Sequence, residues 1–282
     1  MTIQRVAVLG AGTMGHGIAY AAMAGGFETA LFDASAEALA RAKTAIDGII
    51  GKSVELGHIK DTEARLVKER LKTFDHLAQA VAHADFVIEA VPEQMELKLR
   101  LLRDVEKHAP ARAIIASNTS ALSLTEMAAA LAHPARLAGM HFFNPVHRMK
   151  LVEVVRALDS AAETLQAIEE VARRMGKETV LVRESPGFVT SRINAMIGNE
   201  AFYMLQEGVA SARDIDKALK LGLSHPMGPF ELVDLVGLDT RLSVLEFLHR
   251  SLGEKFRPCP LLVQHVRAGR LGRKVGRGVY DY

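Results

Sequence analysis

The chain has 282 residues, 35 Lys plus Arg against 33 Asp plus Glu, and a single cysteine. With 49% hydrophobic and 24% charged residues the composition is that of a globular protein, which excludes bulk disorder. A net charge of +2 gives no electrostatic case for a nucleic-acid partner, and one cysteine, Cys259, cannot form an internal disulfide and suits a reducing, cytoplasmic compartment.

The stretch from Val6 to Phe27 carries no charged residue, and its 22 positions are enough to suggest a membrane span. It also holds six glycines, each of which costs a helix about 1 kcal/mol relative to alanine. It lacks the basic start and small-residue cleavage site of a signal peptide. A buried strand, a tight turn and a small-residue helix account for it better, so no membrane partner is expected. Short β-branched runs predict strands at 5–9, 29–32, 86–90, 113–117, 137–140, 151–155 and 179–182. Between them lie helical patterns at 13–24, 36–56, 63–71, 94–108, 124–131 and 161–175. Runs of four or five apolar residues fit strands buried on both faces. Their alternation with helices predicts an α/β domain with a doubly wound, mainly parallel sheet. From Phe188 onward only helices are expected, at 188–207, 212–221, 229–235, 240–252 and 261–268. Pro186 and Gly187 mark the break, which divides the chain into 1–185 and an all-helical domain at 186–282.

The first strand runs directly into Gly10-Ala11-Gly12-Thr13-Met14-Gly15, which opens a helix. Gly10 allows the tight turn, Gly12 lets backbone approach a pyrophosphate, and Gly15 lets helix and strand pack closely. The helix N-terminus offers N–H groups and the positive dipole end to phosphates. The second strand ends on Asp33, 23 residues beyond Gly10, near the offset expected for the acid that binds the adenosine ribose. The domain at 1–185 is therefore read as a Rossmann-type NAD-binding domain. The Asp33 charge would repel a 2′-phosphate, so NAD is favoured over NADP; the nearest arginine, Arg41, lies further along the next helix.

Two further blocks follow strands: Ser117-Asn118-Thr119-Ser120, and His141-Phe142-Phe143-Asn144-Pro145. In an open α/β sheet ligands bind beyond the carboxyl ends of the strands, so both blocks project toward the edge that carries the glycine turn. Glu153 sits inside the apolar run Leu151-Val152-Glu153-Val154-Val155, and a carboxylate so placed needs a partner.

On these segments the chain resembles the L-3-hydroxyacyl-CoA dehydrogenase family, particularly its short stand-alone 3-hydroxybutyryl-CoA members. The carrying motifs are GAGTMG at Gly10, VIEAVPE at Val87, SNTS at Ser117, GMHFFNPVHRMKLVEVV at Gly139, SPGFVTSR at Ser185, HPMGPFELVDLVGLD at His225 and GRKVGRGVYDY at Gly272. They cover nearly the whole chain in order. The resemblance implies NAD-dependent interconversion of L-3-hydroxyacyl-CoA and 3-oxoacyl-CoA. His141 suits the base, since the ordinary pKa of an imidazole lies near neutrality. Glu153 would orient it as the acid of a serine-protease triad does. Ser120 would hydrogen-bond the substrate oxygen, and Asn144 would hold the nicotinamide side. The resemblance also places Glu93, Lys98 and Lys274 near NAD, and Lys52 in the helix that binds the coenzyme A nucleotide. A second lysine common there is absent, since Glu55 and Leu56 occupy that region. Where the family often carries Asn before Arg, this chain has Ser191-Arg192. Ser191 donates one hydrogen bond with a shorter reach; Asn194, three residues on and on the same helix face, is the alternative. The helical domain is expected to cap the substrate cleft and to pair with a second copy in a homodimer.

Blander readings apply elsewhere. His58, His76, His83, His108 and His133 lie in polar contexts and read as surface residues, His16 as packing. Lys98 could be a solvated helix charge. No CxxC or HExxH occurs, and no metal is expected. Seven basic residues and no acidic one fall between Lys255 and Arg277, a run that reads as a solvated face with a phosphate-facing end at Lys274. Two other functions stay open at this stage: a related sugar-acid dehydrogenase without CoA, and a non-catalytic NAD-binding protein. The MKLVEVV and HFFNP blocks weigh against the first. Intact Ser120, His141 and Glu153 weigh against the second.

Overall fold

The computed structural model describes residues 2–282. They form two compact units, the first ending at Glu184 and the second running Ser185–Tyr282.

The first unit begins β1 (Arg5–Leu9), α1 (Thr13–Ala24), β2 (Glu28–Phe32), α2 (Ala36–Glu55), α3 (Asp61–Glu69), β3 (Leu71–Phe74) and α4 (Leu77–Val81). It continues β4 (Phe86–Glu89), α5 (Met95–His108), β5 (Ile114–Ser117), α6 (Leu124–Ala129), β6 (Leu137–Phe142), β7 (Leu151–Arg156), α7 (Ala162–Arg174) and β8 (Glu178–Arg183). The strands make one sheet in the order β3-β2-β1-β4-β5-β6-β7-β8. Every neighbouring pair is parallel except β6 with β7. Only residues 143–150 join those two strands. A parallel pair needs a crossover of a dozen or more residues, so the chain turns back on itself there. The winding reverses between β1 and β4, the switch point at which such sheets bind ligands.

The strands are apolar because helices cover both sheet faces. Val6 through Leu9 and all of β4 are buried. Helix α1 buries Gly15, Gly17, Ala19, Ala21 and Ala22 together with Ile18 and Met23. Val8, Ile18, Leu31, Ile46 and Phe86 belong to one continuous core.

Two elements depart from the sequence-based expectation. The helix expected at 63–71 stops at Glu69, and Leu71 opens an eighth strand, β3; a short helix, α4, follows it. Leu71-Lys72-Thr73-Phe74 has two exposed polar residues between two half-buried apolar ones. So short a run reads equally as a helix tail. Pairing with β2, from Thr29 opposite Leu71 to Phe32 opposite Phe74, makes it a strand at the sheet edge.

The second unit is helical: α8 (Thr190–Gln206), α9 (Ala212–Gly222), α10 (Pro229–Val236), α11 (Leu238–Leu252) and α12 (Pro260–Arg267). Its core contains Phe202, Phe230, Leu245, Leu248, Phe256 and the buried Cys259. Phe202 and Phe230 meet edge to face at 5.2 Å. Buried Asp234 fastens the chain end: it accepts hydrogen bonds from the Val279 and Tyr280 N–H groups, both at 2.9 Å, and from the Tyr282 hydroxyl at 3.0 Å. Among the described residues no helix is long and apolar enough to cross a membrane.

Candidate active site

The glycine turn is built by close approach. Gly10 has φ +101°, and a Cβ there would lie 2.7 Å from the Ala90 carbonyl oxygen. A Cβ on Gly15 would lie 1.6 Å from the Gly10 carbonyl oxygen, so α1 reaches β1 only because that position is glycine. Gly12 differs: a Cβ there meets no protein atom within 4 Å. Any demand for glycine at that position comes from what occupies the cleft. Among the described residues no side chain caps α1 at Gly12, so the N–H groups of its first turn suit an external anion.

Asp33 follows β2 and is held by the same turn. Its Oδ2 accepts from the Ala11 N–H at 2.8 Å and its Oδ1 from the Ser35 N–H at 2.9 Å. A cleft of ≈ 930 Å³ is lined by Gly10, Ala11, Gly12, Thr13 and Met14, by Asp33 and Arg41, and by Glu93, Asn118 and Ser120. That volume lies in the upper range for small-molecule sites. The cleft runs from a carboxylate past a glycine turn to the carboxyl ends of β4 and β5, which is the donor set and shape a dinucleotide needs. Arg41, placed by the sequence further along the helix, lines this cleft with its guanidinium 3.6 Å from Glu37.

Beneath the Ser120 end lies a charged network, buried at Glu89 and Lys98 and open to solvent at Glu93. Glu89, at the end of β4, is 0% exposed and Lys98, on α5, is 1% exposed. Lys98 Nζ lies 2.6 Å from Glu89 Oε1 and 3.3 Å from Glu93 Oε2. It also donates to the Val91 carbonyl at 3.2 Å. Glu89 accepts in addition from the Val91 N–H at 2.8 Å and the Ser117 hydroxyl at 2.5 Å. Glu93 Oε1 accepts from the Thr119 hydroxyl at 2.6 Å, the Ser120 N–H at 3.0 Å and the Ala121 N–H at 3.2 Å; the Ser120 hydroxyl lies at 3.4 Å. Burial opposes ionisation of Glu93, but the Lys98 charge and the Thr119 and Ser120 hydrogen bonds outweigh it, so its pKa lies below the ordinary value.

His141 sits on β6 directly opposite Glu153 in the antiparallel register with β7. His141 Nδ1 lies 2.7 Å from Glu153 Oε2, and both residues are buried. The Phe143 ring packs 4.6 Å from the imidazole. Asn118, past β5, accepts from the Phe142 N–H at 2.9 Å and so ties the Ser120 loop to the histidine strand. Asn144 follows on the exposed surface, and the Asn144-Pro145 peptide is cis.

Several candidates fall outside the cleft lining. Lys98 is neither a solvated helix charge nor a cleft-lining side chain; it is sealed beneath Glu93. Lys52 is exposed on α2 and paired with Glu55 at 2.9 Å. In the helical unit, Ser191 and Asn194 are half-buried one turn apart on α8. Lys274 donates to both Asp239 oxygens at 2.6 Å. Sequence reasoning passed over Glu89, Ser117, Asn118 and Thr119 as individual contributors. The signal for Glu89 is the one that marks Glu153, a carboxylate closing an apolar strand.

Two family models match the chain in succession. The 3-hydroxyacyl-CoA dehydrogenase NAD-binding domain covers residues 5–185, and the C-terminal domain of the same family covers 187–282. A protein of Bacillus subtilis named a probable 3-hydroxybutyryl-CoA dehydrogenase is 45% identical over 100% of this chain and 98% of its own. The 3-hydroxybutyryl-CoA dehydrogenase of Bradyrhizobium diazoefficiens is 41% identical over 99% of this chain and 96% of its own. The crystal structure of the (S)-3-hydroxybutyryl-CoA dehydrogenase from Ralstonia eutropha superposes with a TM-score of 0.96 at 40% identity, covering 100% of this chain and 99% of the other.

Proposed function

Because the chain belongs to the 3-hydroxyacyl-CoA dehydrogenase family, we propose that it interconverts a short-chain L-3-hydroxyacyl-CoA, of the 3-hydroxybutyryl-CoA class, and the matching 3-oxoacyl-CoA with NAD. The observation that carries the reading is the buried hydrogen bond of 2.7 Å between His141 Nδ1 and Glu153 Oε2. Oxidising a secondary alcohol removes a proton from oxygen and a hydride from carbon. NAD, when bound, supplies the hydride acceptor. His141 takes the hydroxyl proton on Nε2, while Glu153 holds the Nδ1 proton, fixes the tautomer and offsets the imidazolium charge. In the reductive direction the protonated imidazole returns that proton to the carbonyl oxygen. The Ser120 hydroxyl turns from Glu93 to hydrogen-bond the substrate oxygen.

The remaining assignments follow the chemistry of the residues. Gly10, Ala11, Gly12, Thr13, Met14 and Gly15 cradle the pyrophosphate. Asp33 accepts from the adenosine ribose hydroxyls and repels a 2′-phosphate. Glu93 and Asn144 serve the nicotinamide half, and Lys98 acts there through Glu93. Lys274 supplies a further cation for the cofactor. Ser191 or Asn194 supplies a hydrogen bond to the thioester carbonyl. Lys52, already paired with Glu55, contributes modestly to the CoA nucleotide. The protein works as a cytoplasmic homodimer; exposed Ile193 and Met196 on α8 and Leu235 and Val236 on α10 give the helical unit apolar surface for a second copy.

The test follows NADH absorbance with acetoacetyl-CoA and, separately, with free acetoacetate. Rapid NADH oxidation with the CoA ester and little with the free acid is the expected result. Absence of turnover with every 3-oxoacyl-CoA tried would overturn the assignment.

A further inference from the structure

We propose, on the reading that the cleft takes NAD, that the Glu89–Lys98–Glu93 cluster makes this site bind the oxidised dinucleotide more tightly than the reduced one. The cluster holds two carboxylates and one ammonium. Lys98 reaches both acids, at 2.6 and 3.3 Å, yet it can offset only one negative charge. Among the described residues no other cation pairs with either carboxylate within 4.0 Å.

Burial of such a surplus would ordinarily drive one carboxyl to take up a proton. Donors placed around both acids oppose that. Glu89 receives the Val91 N–H and the Ser117 hydroxyl besides Lys98. Glu93 receives Thr119, Ser120 and Ala121. Two carboxylates thus stand against one ammonium, and the Glu89–Lys98 part of the cluster is sealed from water, where charges act over a longer range than in solution.

The sheet order says which part of the ligand feels it. Asp33 at β2 marks the adenosine end and the turn after β1 marks the pyrophosphate. Glu93, Asn118 and Ser120, at the ends of β4 and β5, are left for the nicotinamide end. The two redox forms of the cofactor carry the same phosphates and differ by one positive charge, on the nicotinamide ring. A fixed negative charge at that end distinguishes them; one at the adenosine end does not.

The same arrangement bears on the direction of reaction. A bound nicotinamide would supply the hydride acceptor, and in alcohol oxidation His141 gains the hydroxyl proton, while a cluster that favours the oxidised ring favours the reductive direction. Glu153 stabilises the charge at the imidazole, and the Glu89–Lys98–Glu93 cluster stabilises it at the ring. In the binary complexes, with no substrate proton to move, only the second stabilisation acts, so it can be measured alone.

The experiment titrates NAD+ and NADH calorimetrically into the unaltered protein and into Glu89→Gln, Glu93→Gln and Asp33→Asn variants. In the Glu89→Gln protein the preference for NAD+ over NADH should fall on the order of tenfold. Glu93→Gln, at the half-exposed end of the cluster, removes the same charge and gives the same readout if Glu89→Gln fails to fold. Asp33→Asn should weaken both forms by one common factor. A preference unchanged in both glutamate variants, with the two constants moving together, would reduce the cluster to scaffolding and overturn the proposal. Binding of neither form to the unaltered protein would instead overturn the NAD reading on which it rests.

Discussion

The imidazole of His141 lies opposite Glu153 across an antiparallel pair, so backbone register holds the acid against Nδ1 at 2.7 Å. Glu153 is fully buried, and its charge needs that partner. His141→Gln keeps a donor toward Glu153 but removes the ring nitrogen that accepts the substrate proton. Turnover should fall by about 10²–10⁴-fold. NAD affinity should hold, because His141 is not among the residues lining the dinucleotide cleft. Steady-state kinetics beside a calorimetric NAD titration checks both statements, and undiminished turnover would remove His141 from the proton transfer. The candidate site was partly legible at this scale. Glu153 announced itself as a charge inside an apolar run. Glu89 carries the same mark, but its partner Lys98 lies nine residues on, in a helix that a lone lysine could equally have exposed to water. The pairing exists only once α5 packs beside β4.

At the scale of elements, the β1–turn–α1 unit separates two uses of glycine that its motif alone does not distinguish. Gly15 serves the fold, since a Cβ there would lie 1.6 Å from the Gly10 carbonyl oxygen. Gly12 serves the ligand, since a Cβ there meets no protein atom within 4 Å. Gly15→Ala should therefore lower stability by ~1–3 kcal/mol or more, because helix or strand must shift. Gly12→Ala should keep stability within ~1 kcal/mol while weakening NAD. Thermal unfolding with and without NAD separates the two; equal stability losses would contradict the division. This unit was readable from sequence because turn chemistry and helix period are local. Strand β3 was not: its four residues gain their conformation from pairing with β2, and their own pattern fits a helix end as well.

At the scale of the whole molecule, each unit has its own core, and the helical unit is closed by its final residues. Asp234 gathers the N–H groups of Val279 and Tyr280 and the Tyr282 hydroxyl. A second buried acid, Asp216, accepts from the Tyr280 hydroxyl at 2.7 Å and from the Phe230 N–H at 2.8 Å. Asp234→Ala should cost ~1–3 kcal/mol, since it strands partly buried donors that a buried carboxylate had satisfied. Urea unfolding of the full chain measures it, and a change under ~0.5 kcal/mol would show that the chain end is not fastened this way. The sequence by itself determined the alternation of strands and helices, the break near Ser185, the glycine turn with Asp33, and Glu153 as a charge in need of a partner. Each of those signals is local: a period, a turn residue, or a charge within an apolar run. The sheet order, the antiparallel return of β7, the edge strand β3 and the burial of Lys98 between two glutamates were decided by the tertiary structure alone. Each is a pairing between separated segments, and the free energy that selects it comes from burial and hydrogen bonds formed only when those segments meet.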